Sequence, residues 1–439
     1  MKRITLLCLA CMLAFPWVAG AQAQKPAKDD RDERLKDFEE RISVLEAEVQ
    51  ALRAAAATQT VQAPAVAPAA FDVAARPAPA ANPPLAQQAP ETGGAQPQPP
   101  AYGGASSMAK VLNPDISVIG DFLGATGTSN VPPALQAAGR GPLPVLALHE
   151  SEVGLQAIVD PYARADFFLS FGESGVNVEE GYLTFTSLPA GFVAKVGKMR
   201  SAFGKVNTLH NHVLPWTDRP LVTQSLVGGE DGIDDAGLSV TRILPAPGGI
   251  FLEGTAQVFR GDSADVFTSS QRSDASVAGH LRGYKDLNES TNVDLGVSYA
   301  RGHNDLGSAF LTDLYGVDAT LHWTPLRRTI YHNFVGRAEF VWSRRDQLPA
   351  QQRAFGFYTS GDYRINRRWT VGGRFDRSGR ARTANLTDDG FSALLTYWPS
   401  EFSQIRGQYR FTKYAEGRNA NELLFQFQFS LGAHGAHPF

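Results

Sequence analysis

The chain has 439 residues, a net charge of −3 and only 19% charged residues. Such a length holds two or three ordinary domains or one large β-barrel, and the nearly balanced charge gives no reason to expect a nucleic-acid partner. The 42 glycines and 26 phenylalanines favour β-structure.

The N-terminal segment has the pattern of a cleaved secretory signal. Lys2 and Arg3 precede an apolar run over 4–18, and small residues follow at Ala19, Gly20, Ala21 and Ala23. Both cysteines, Cys8 and Cys11, lie in this segment, so the mature chain would have neither a disulfide nor a thiolate metal site. A lipoprotein is the alternative, but Cys8 stands where a lipobox needs an aliphatic residue. We therefore predict a signal peptide over 1–23 and an exported protein.

Two segments of different composition follow the signal. Apolar residues recur at alternating spacings of three and four, as heptad a and d positions do, at Leu35, Phe38, Ile42, Leu45, Val49 and Leu52. This pattern predicts a coiled-coil oligomerisation segment over 24–56, with a lone amphipathic helix as the alternative. Residues 57–110 are rich in Ala and Pro and predict an extended linker.

From residue 111 to 439 the sequence consists of short alternating segments, roughly sixteen in all. Near the C-terminus Phe425, Phe427 and Phe429 alternate with Gln426 and Gln428, which indicates a strand with one apolar and one polar face. Short turns alternate with longer connections, among them 302–311 and 378–389. A soluble sandwich gives no reason for connections to sort in this way, whereas an outer-membrane barrel does.

Aromatic residues support the same interpretation. Trp323, Tyr363, Trp369 and Tyr397 all fall on apolar faces beside short turns, as an interfacial girdle would. We therefore predict an all-β fold, a transmembrane antiparallel β-barrel of about sixteen strands whose apolar faces contact lipid.

Several features together resemble a Gram-negative outer-membrane porin-like family. They are the signal, the heptad segment, the opening NPDISVIGDF, the stretch VGKMRSAFGKVNTLHNHVLPWTDRPLV and the terminal Phe439. The family consists of uncharacterised porins often labelled zinc-regulated outer-membrane receptors, and its layout is similar to that of phosphate-selective porins. The receptor label implies import through a plugged barrel of about twenty-two strands. We expect that this chain has neither a plug domain nor the length for such a barrel.

The resemblance also implies a location and partners. The protein would lie in the outer membrane, in contact with the lipid bilayer and lipopolysaccharide, with its N-terminal segment as a periplasmic stalk. It would form a homotrimer or another homo-oligomer. The barrel-assembly machinery would read the terminal aromatic residue, which is Phe439 in this chain.

The longest internal connection, near 199–235, is the third long one counted from the first strand, and in porins the third loop folds into the lumen. Its middle carries Asp218 and Arg219, and its end carries an acidic group. On the predicted lumen face of later strands lie five arginines. The acidic residues are Glu230, Asp231, Asp234 and Asp235, and the arginines are Arg337, Arg364, Arg374, Arg406 and Arg410. An acidic loop facing a basic wall would set a transverse electric field across the constriction and tune ion selectivity. The alternative is that these charges are only hydrated groups of a surface loop and a water-filled lumen.

His210 and His212, in the sequence HNH, form the candidate metal pair. Two histidines supply half of a usual zinc site, so solvated or hydrogen-bonded histidines are the alternative. We predict no cofactor, with zinc as the only candidate metal.

The function predicted from the sequence is a passive channel. The sequence contains no GxSxG, HExxH, Walker A or dinucleotide-binding pattern, so we predict that the protein is not an enzyme. The channel would pass small hydrophilic or ionic solutes. In one version of this prediction a metal regulates the channel. The alternatives are an envelope-tethering barrel without transport and a substrate-specific importer.

Overall fold

The alternating segments form one antiparallel sheet that closes on itself. The computed structural model describes residues 114–432, apart from 129, 133–134, 137–144, 174, 264, 328 and 330. The predicted signal peptide, coiled coil and linker, and the assembly signal at Phe439, lie outside the described residues. Successive strands of the wall are hydrogen-bonded to each other, and the last strand pairs with the first from Ser117↔Gly432 to Gly127↔Glu422.

The sheet is built from seventeen strand segments. They are β1 (Asp115–Gly127), β2 (Ala147–Leu148), β3 (Ser151–Asp160), β4 (Ala163–Gly172), β5 (Gly175–Phe185), β6 (Phe192–Arg200), β7 (Asp234–Leu244), β8 (Phe251–Phe259), β9 (Ser276–Asn288), β10 (Thr291–Asn304), β11 (Gly307–Trp323), β12 (Asn333–Arg345), β13 (Gln352–Asn366), β14 (Trp369–Arg380), β15 (Thr383–Ser400), β16 (Ser403–Lys413) and β17 (Asn419–Gly432). Because β2 and β3 pair with the same strand, β1, they form one interrupted wall strand. The seventeen segments therefore make sixteen wall strands, which confirms the predicted number.

The two faces of the sheet have the polarity of a membrane barrel. In β17, Phe427 points outward and is 45% exposed, whereas its neighbour Gln428 points inward and is fully buried. Trp369 and Tyr397 lie side by side near the short-turn rim, with ring centroids 4.6 Å apart. Closure of the sheet pairs the backbone groups that hydrocarbon could not. The outward apolar face predicted from the sequence is therefore confirmed.

Two predicted long connections are wrong. Residues 302–311 and 378–389 are not loops, because β10 continues to Asn304 and β11 resumes at Gly307, and β14 and β15 likewise approach each other at Arg380 and Thr383. These strands extend with polar residues on their outward face, as in the Arg301–Asp313 ion pair at 3.2 Å. The alternation of apolar and polar residues therefore ends before the strand does.

The longest connection lies between β6 and β7. Residues 201–233, here called the inner loop, contain short 3-10 turns at Val206–Thr208 and Asn211–Val213 and one helix, α1 (Leu221–Leu226). Another 3-10 turn, Pro189–Gly191, joins β5 to β6. No helix among the described residues is long and apolar enough to cross a membrane.

Placing a charge on the outward face should impair insertion. We expect Phe427→Lys to destabilise the folded barrel in lipid vesicles by roughly 2–4 kcal/mol, because the ammonium group would face hydrocarbon. Phe427→Leu is the matched control and should fold with nearly wild-type stability. Reversible unfolding in guanidinium measures both variants; equal stabilities would show that this face does not contact lipid.

Candidate functional site

The inner loop folds into the barrel and packs as a small core. Its apolar side chains are nearly inaccessible to solvent, and they join inward-facing apolar residues of the wall in one cluster. The loop contributes Phe203, Val206, Leu214, Trp216, Val222, Leu226, Val227 and Ile233, and the wall contributes Phe259, Ala300, Leu314, Val341, Tyr358 and Leu394, among others. Burial of this many apolar groups gives the loop a fixed structure inside the lumen.

The two ends of the inner loop are joined by Asn207. Its Nδ2 donates to the carbonyl oxygens of Ser201 and Ile233 at 2.9 and 3.1 Å, and its Oδ1 accepts from the Ile233 N–H at 2.8 Å. Gly232, with φ +68°, lets the chain pass close by, since a Cβ there would lie 2.0 Å from Asn207 Oδ1. The loop is therefore closed at its neck and projects as a unit.

The first part of the loop is held by wall strands β8 and β12. Gln257 Oε1 accepts from the backbone N–H of Ala202 at 2.7 Å, and Glu339 Oε2 accepts from that of Val206 at 3.2 Å. Gly204, with φ +60°, fits against Glu339, because a Cβ at this position would lie 2.0 Å from Oε1. Buried polar side chains of the wall therefore pair the backbone groups of an irregular segment.

The second part of the loop is held at one carboxylate, that of Asp218. Arg374 Nη2 lies 3.0 Å from Oδ1 and Arg410 Nη1 lies 2.8 Å from Oδ2. Gln408 Nε2 also donates to Oδ1 at 2.6 Å. Arg374 is 2% exposed and Asp218 is 9% exposed. One loop carboxylate therefore meets two wall arginines in a direct, buried contact.

Trp216 lies beside this contact. Its ring packs edge-on against Tyr358 at 5.1 Å between centroids, and the Arg374 guanidinium lies 5.0 Å from its ring centre. Nearby, Arg406 Nη1 donates to the Leu214 carbonyl at 2.9 Å. An aromatic face and a buried cation attract each other, so Trp216 and Asp218 stabilise the same arginine from two sides.

Arg219 turns back into the loop itself. It is 2% exposed, and its guanidinium donates to Asn211 Oδ1 at 2.8 Å and to the carbonyl oxygens of Val206 and Leu209 at 3.1 and 2.7 Å. One planar group thereby joins residue 219 to residues 206–211 of the same loop. In this structure Arg219 organises the fold of the inner loop.

The histidine pair lies where the loop meets β3 and β5. The rings of His210 and His212 are perpendicular, with centroids 5.7 Å apart. His210 Nδ1 lies 2.5 Å from Glu152 Oε2 and its Nε2 lies 2.8 Å from Glu180 Oε2, while His212 Nδ1 lies 3.5 Å from Glu152 Oε2. Burial alone would lower the pKa of His210, but the hydrogen bonds to Glu152 and Glu180 outweigh burial and raise it to about 9.

No family model matches the sequence. An uncharacterized protein of Aquifex aeolicus (strain VF5) is 30% identical over 336 residues, which cover 66% of this chain and 70% of the relative. The chain belongs to the same family as this protein.

Solved structures are similar in fold. The anion-selective porin from Comamonas acidovorans superposes with a TM-score of 0.50 at 12% identity, covering 72% of this chain and 99% of that one. The outer membrane channel DcaP of Acinetobacter baumannii gives a TM-score of 0.48 at 13% identity, covering 73% and 96%. The first of these shows that the chain has the fold of outer-membrane porins.

Within the porin fold, the predicted acidic group has two locations. Glu230 and Asp231 are exposed near the end of the inner loop, and Glu230 Oε1 lies 3.0 Å from His149 Nε2. Asp234 and Asp235 begin strand β7. Asp234 pairs with Lys198 at 2.8 Å, and the buried Asp235 carboxylate accepts from backbone N–H groups of the β8–β9 connection. The partners of Glu230, Asp234 and Asp235 named here do not include the five predicted wall arginines.

The five predicted wall arginines also fall into two groups. Arg374 and Arg406, 2% and 3% exposed, lie beneath the inner loop, and Arg410 beside them pairs with Asp218 and Glu422. Arg337 of β12 forms an ion pair with Asp362 of β13. Arg364 lies two positions beyond Asp362 on the same face of that strand.

The Asp218 contact should depend on acid pH. Burial alone would raise the pKa of Asp218, but Arg374 and Arg410 hold it at about 2. Because the folded-state pKa is depressed, the stabilisation is present above the ordinary value near 3.8 and is lost as the pH falls towards 2. We expect a loss on the order of 2 kcal/mol across this interval. Unfolding of wild type and Asp218→Asn at each pH measures it; parallel curves would contradict the contact.

Proposed function

We propose that the protein is an outer-membrane porin, a passive channel for small hydrophilic or ionic solutes that the inner loop narrows. The observation that carries this proposal is the polarity of the wall. Polar side chains such as Gln404 and Gln426 point inward, while the neighbouring Ile405 and Phe427 point outward. A barrel that only anchored a stalk would have no need for polar side chains on its inward face.

The inner loop is the selectivity element in this proposal. It contacts β8 and β12 through Gln257 and Glu339, β14 and β16 through Asp218, and β3 through His210. These strands lie at well-separated places around the closed sheet. A solute crossing the barrel therefore passes beside the loop, where charged and polar groups of fixed position select by size and charge.

The outward apolar face supports the membrane part of the proposed setting, and the heptad pattern supports the stalk. The apolar band lies in the outer membrane against lipid and lipopolysaccharide, after insertion by the assembly machinery. The protein forms a homotrimer, and residues 24–56 form a periplasmic coiled-coil stalk. The channel carries out no catalysis.

Charge selectivity should respond to the exposed acids of the loop. We expect replacement of Glu230, Asp231, Asp234 and Asp235 by their amides to shift the reversal potential towards anion preference. Most of the shift should come from the exposed Asp231, because Glu230, Asp234 and Asp235 already have cationic or backbone partners. The shift should grow in dilute salt, where the Debye length exceeds about 10 Å. Glu289→Gln, in a turn at the other rim, is the control. An unchanged reversal potential of the four-acid variant at low salt would show that these acids do not line the pore.

Solute flux into vesicles tests the proposed function. Vesicles containing the purified protein should swell in isotonic sugars and amino acids, at rates that fall as solute size increases, whereas empty vesicles should not. The tethering alternative predicts full insertion without flux. An importer predicts flux of one solute class that saturates with concentration. Either of these results would overturn the passive-channel proposal.

A further inference from the structure

We propose that the lumen contains a binding site for a zinc-like divalent transition-metal ion, formed by His210 and His212 of the inner loop and Glu152 of β3. Each residue offers one ligand atom, and these atoms all lie within 4.8 Å of one another. The three residues are 8%, 4% and 3% exposed. Such an ion would join the loop directly to the barrel wall.

The distances fit a small ion after a limited adjustment. Zinc bonds of about 2.0–2.2 Å to nitrogen and oxygen place tetrahedral ligands roughly 3.4 Å apart. His212 Nδ1 and Glu152 Oε2 already lie 3.5 Å apart. His210 Nδ1 and Glu152 Oε2, at 2.5 Å, share a proton position and need to separate by roughly 1 Å. The ion would replace the proton that now lies between them.

The surroundings supply the outer partner that metal-bound histidines usually have. His210 Nε2 lies 2.8 Å from Glu180 Oε2, so this carboxylate can accept the second ring N–H while Nδ1 binds the ion. Glu180 is itself fixed, because its Oε1 accepts from the backbone N–H of Arg200 at 2.8 Å. The ring orientation that the ion needs is therefore set before it binds.

The local charge also favours a cation. Glu152, Glu179 and Glu180 bring three carboxylates to the two imidazoles, and Glu179 Oε2 lies 3.4 Å from His210 Nδ1. The cation that pairs with this group is Arg200, 3.3 Å from Glu179. When both histidines are neutral, as metal binding requires, the three carboxylates carry two more charges than Arg200 balances, so a divalent ion would balance the buried charge. Two imidazole ligands select zinc-like ions over calcium or magnesium, which prefer oxygen.

The expected consequence is a stronger attachment of the inner loop to β3, where His210 and Glu152 are already in contact. Asp218 joins the loop to β14 and β16, and the ion would join it to β3. Loop motion would then depend on metal occupancy. An effect on conductance rests on the proposed channel function, whereas binding and loop protection do not.

Metal titration of the untagged, full-length protein in detergent tests the site. Calorimetry with zinc should show one site per chain, and cobalt should give the visible absorption of a nitrogen- and oxygen-bound ion. His210→Ala/His212→Ala and Glu152→Gln should abolish both signals, and Glu180→Gln should weaken binding roughly 10–100-fold. His332→Asn and His434→Asn/His437→Asn are histidine controls that should bind as wild type does.

Hydrogen exchange tests the bridge without requiring a conducting channel. Zinc should slow exchange in residues 206–214 of the wild type and leave the double-histidine variant unchanged. Flat wild-type isotherms, or equal binding by wild type and the double-histidine variant, would overturn the site. Binding without any change in loop exchange would overturn the bridge. A protein that fails to conduct but gives the expected binding and protection would contradict only the porin proposal.

Discussion

Asp218→Asn is expected to loosen the inner loop and to shift the channel towards anions. The substitution removes the charge that Arg374 and Arg410 share at 3.0 and 2.8 Å. Breaking a buried ion pair from one side costs roughly 3–5 kcal/mol when the remaining charge is left without a partner. Because Arg374 and Arg410 keep Asp376 and Glu422, we expect a smaller loss of roughly 1.5–3 kcal/mol, typical of hydrogen bonds to a charged group. Asparagine is nearly isosteric, so the loss is electrostatic. Guanidinium unfolding should show the lower stability, and single-channel records should show more current fluctuation.

Asp231→Asn is the matched control for this result. It removes the same charge from an exposed position of the same loop, where surface substitutions usually change stability by less than about 0.5 kcal/mol. Arg374 and Arg410 keep Asp376 and Glu422 in either variant, each at 2.7 Å. If Asp218→Asn unfolds like Asp231→Asn, the shared carboxylate does not hold the loop.

Trp216→Ala should produce the largest loss of packing in the lumen. The side chain is 1% exposed and contacts both Tyr358 and Arg374. Truncation of a buried tryptophan costs roughly 3–5 kcal/mol, since the surroundings fill the cavity only in part. We also expect a higher conductance, because the loop that narrows the lumen loses its largest apolar contact.

Two further substitutions show whether an effect of Trp216→Ala comes from lost packing or from poorer expression and insertion. Trp216→Phe keeps an aromatic ring and should retain most of the stability. Trp342→Ala removes a tryptophan that points outward and is 43% exposed, so it should leave conductance unchanged. Equal conductance of wild type and Trp216→Ala would mean that the inner loop does not limit the current.

The barrel was predictable because its physics is local. Period-two alternation in segments such as Phe425–Leu431 records which face meets lipid, and each strand repeats the same signal independently. The extended hairpins at Asn304–Gly307 and Arg380–Thr383 were not predictable in this way. Above the membrane both faces of a strand contact water, so the ladder continues without an apolar stripe.

The site was predictable only in part, because its contacts join distant positions. The sequence indicated that charges of the loop and wall would meet, yet the shared carboxylate is Asp218 rather than the acidic group at the end of the loop. Glu152 and Glu180 were missed beside His210, from which they are separated by 58 and 30 positions. A signal existed: each is an acidic residue among the inward positions of a strand whose outward residues are apolar.

The fold of the inner loop explains why its charges and its apolar residues belong together. The apolar cluster around Trp216 fixes the backbone, and the wall groups Gln257, Glu339 and Asp218's arginine partners satisfy its polar atoms. A loop built this way keeps its charged groups in fixed positions beside the proposed solute path. Fixed charge is what a passive channel needs to discriminate among ions.

Single-channel recording in planar bilayers tests the central claim most directly. The wild type should insert and give discrete, long-lived current steps that are linear in voltage, and Trp216→Ala should give larger steps. Empty detergent supplies the baseline, and heat-modifiable electrophoretic mobility confirms that each sample is folded. Folded protein that inserts stably but gives no steps, in both the wild type and the Trp216→Ala variant, would contradict the account.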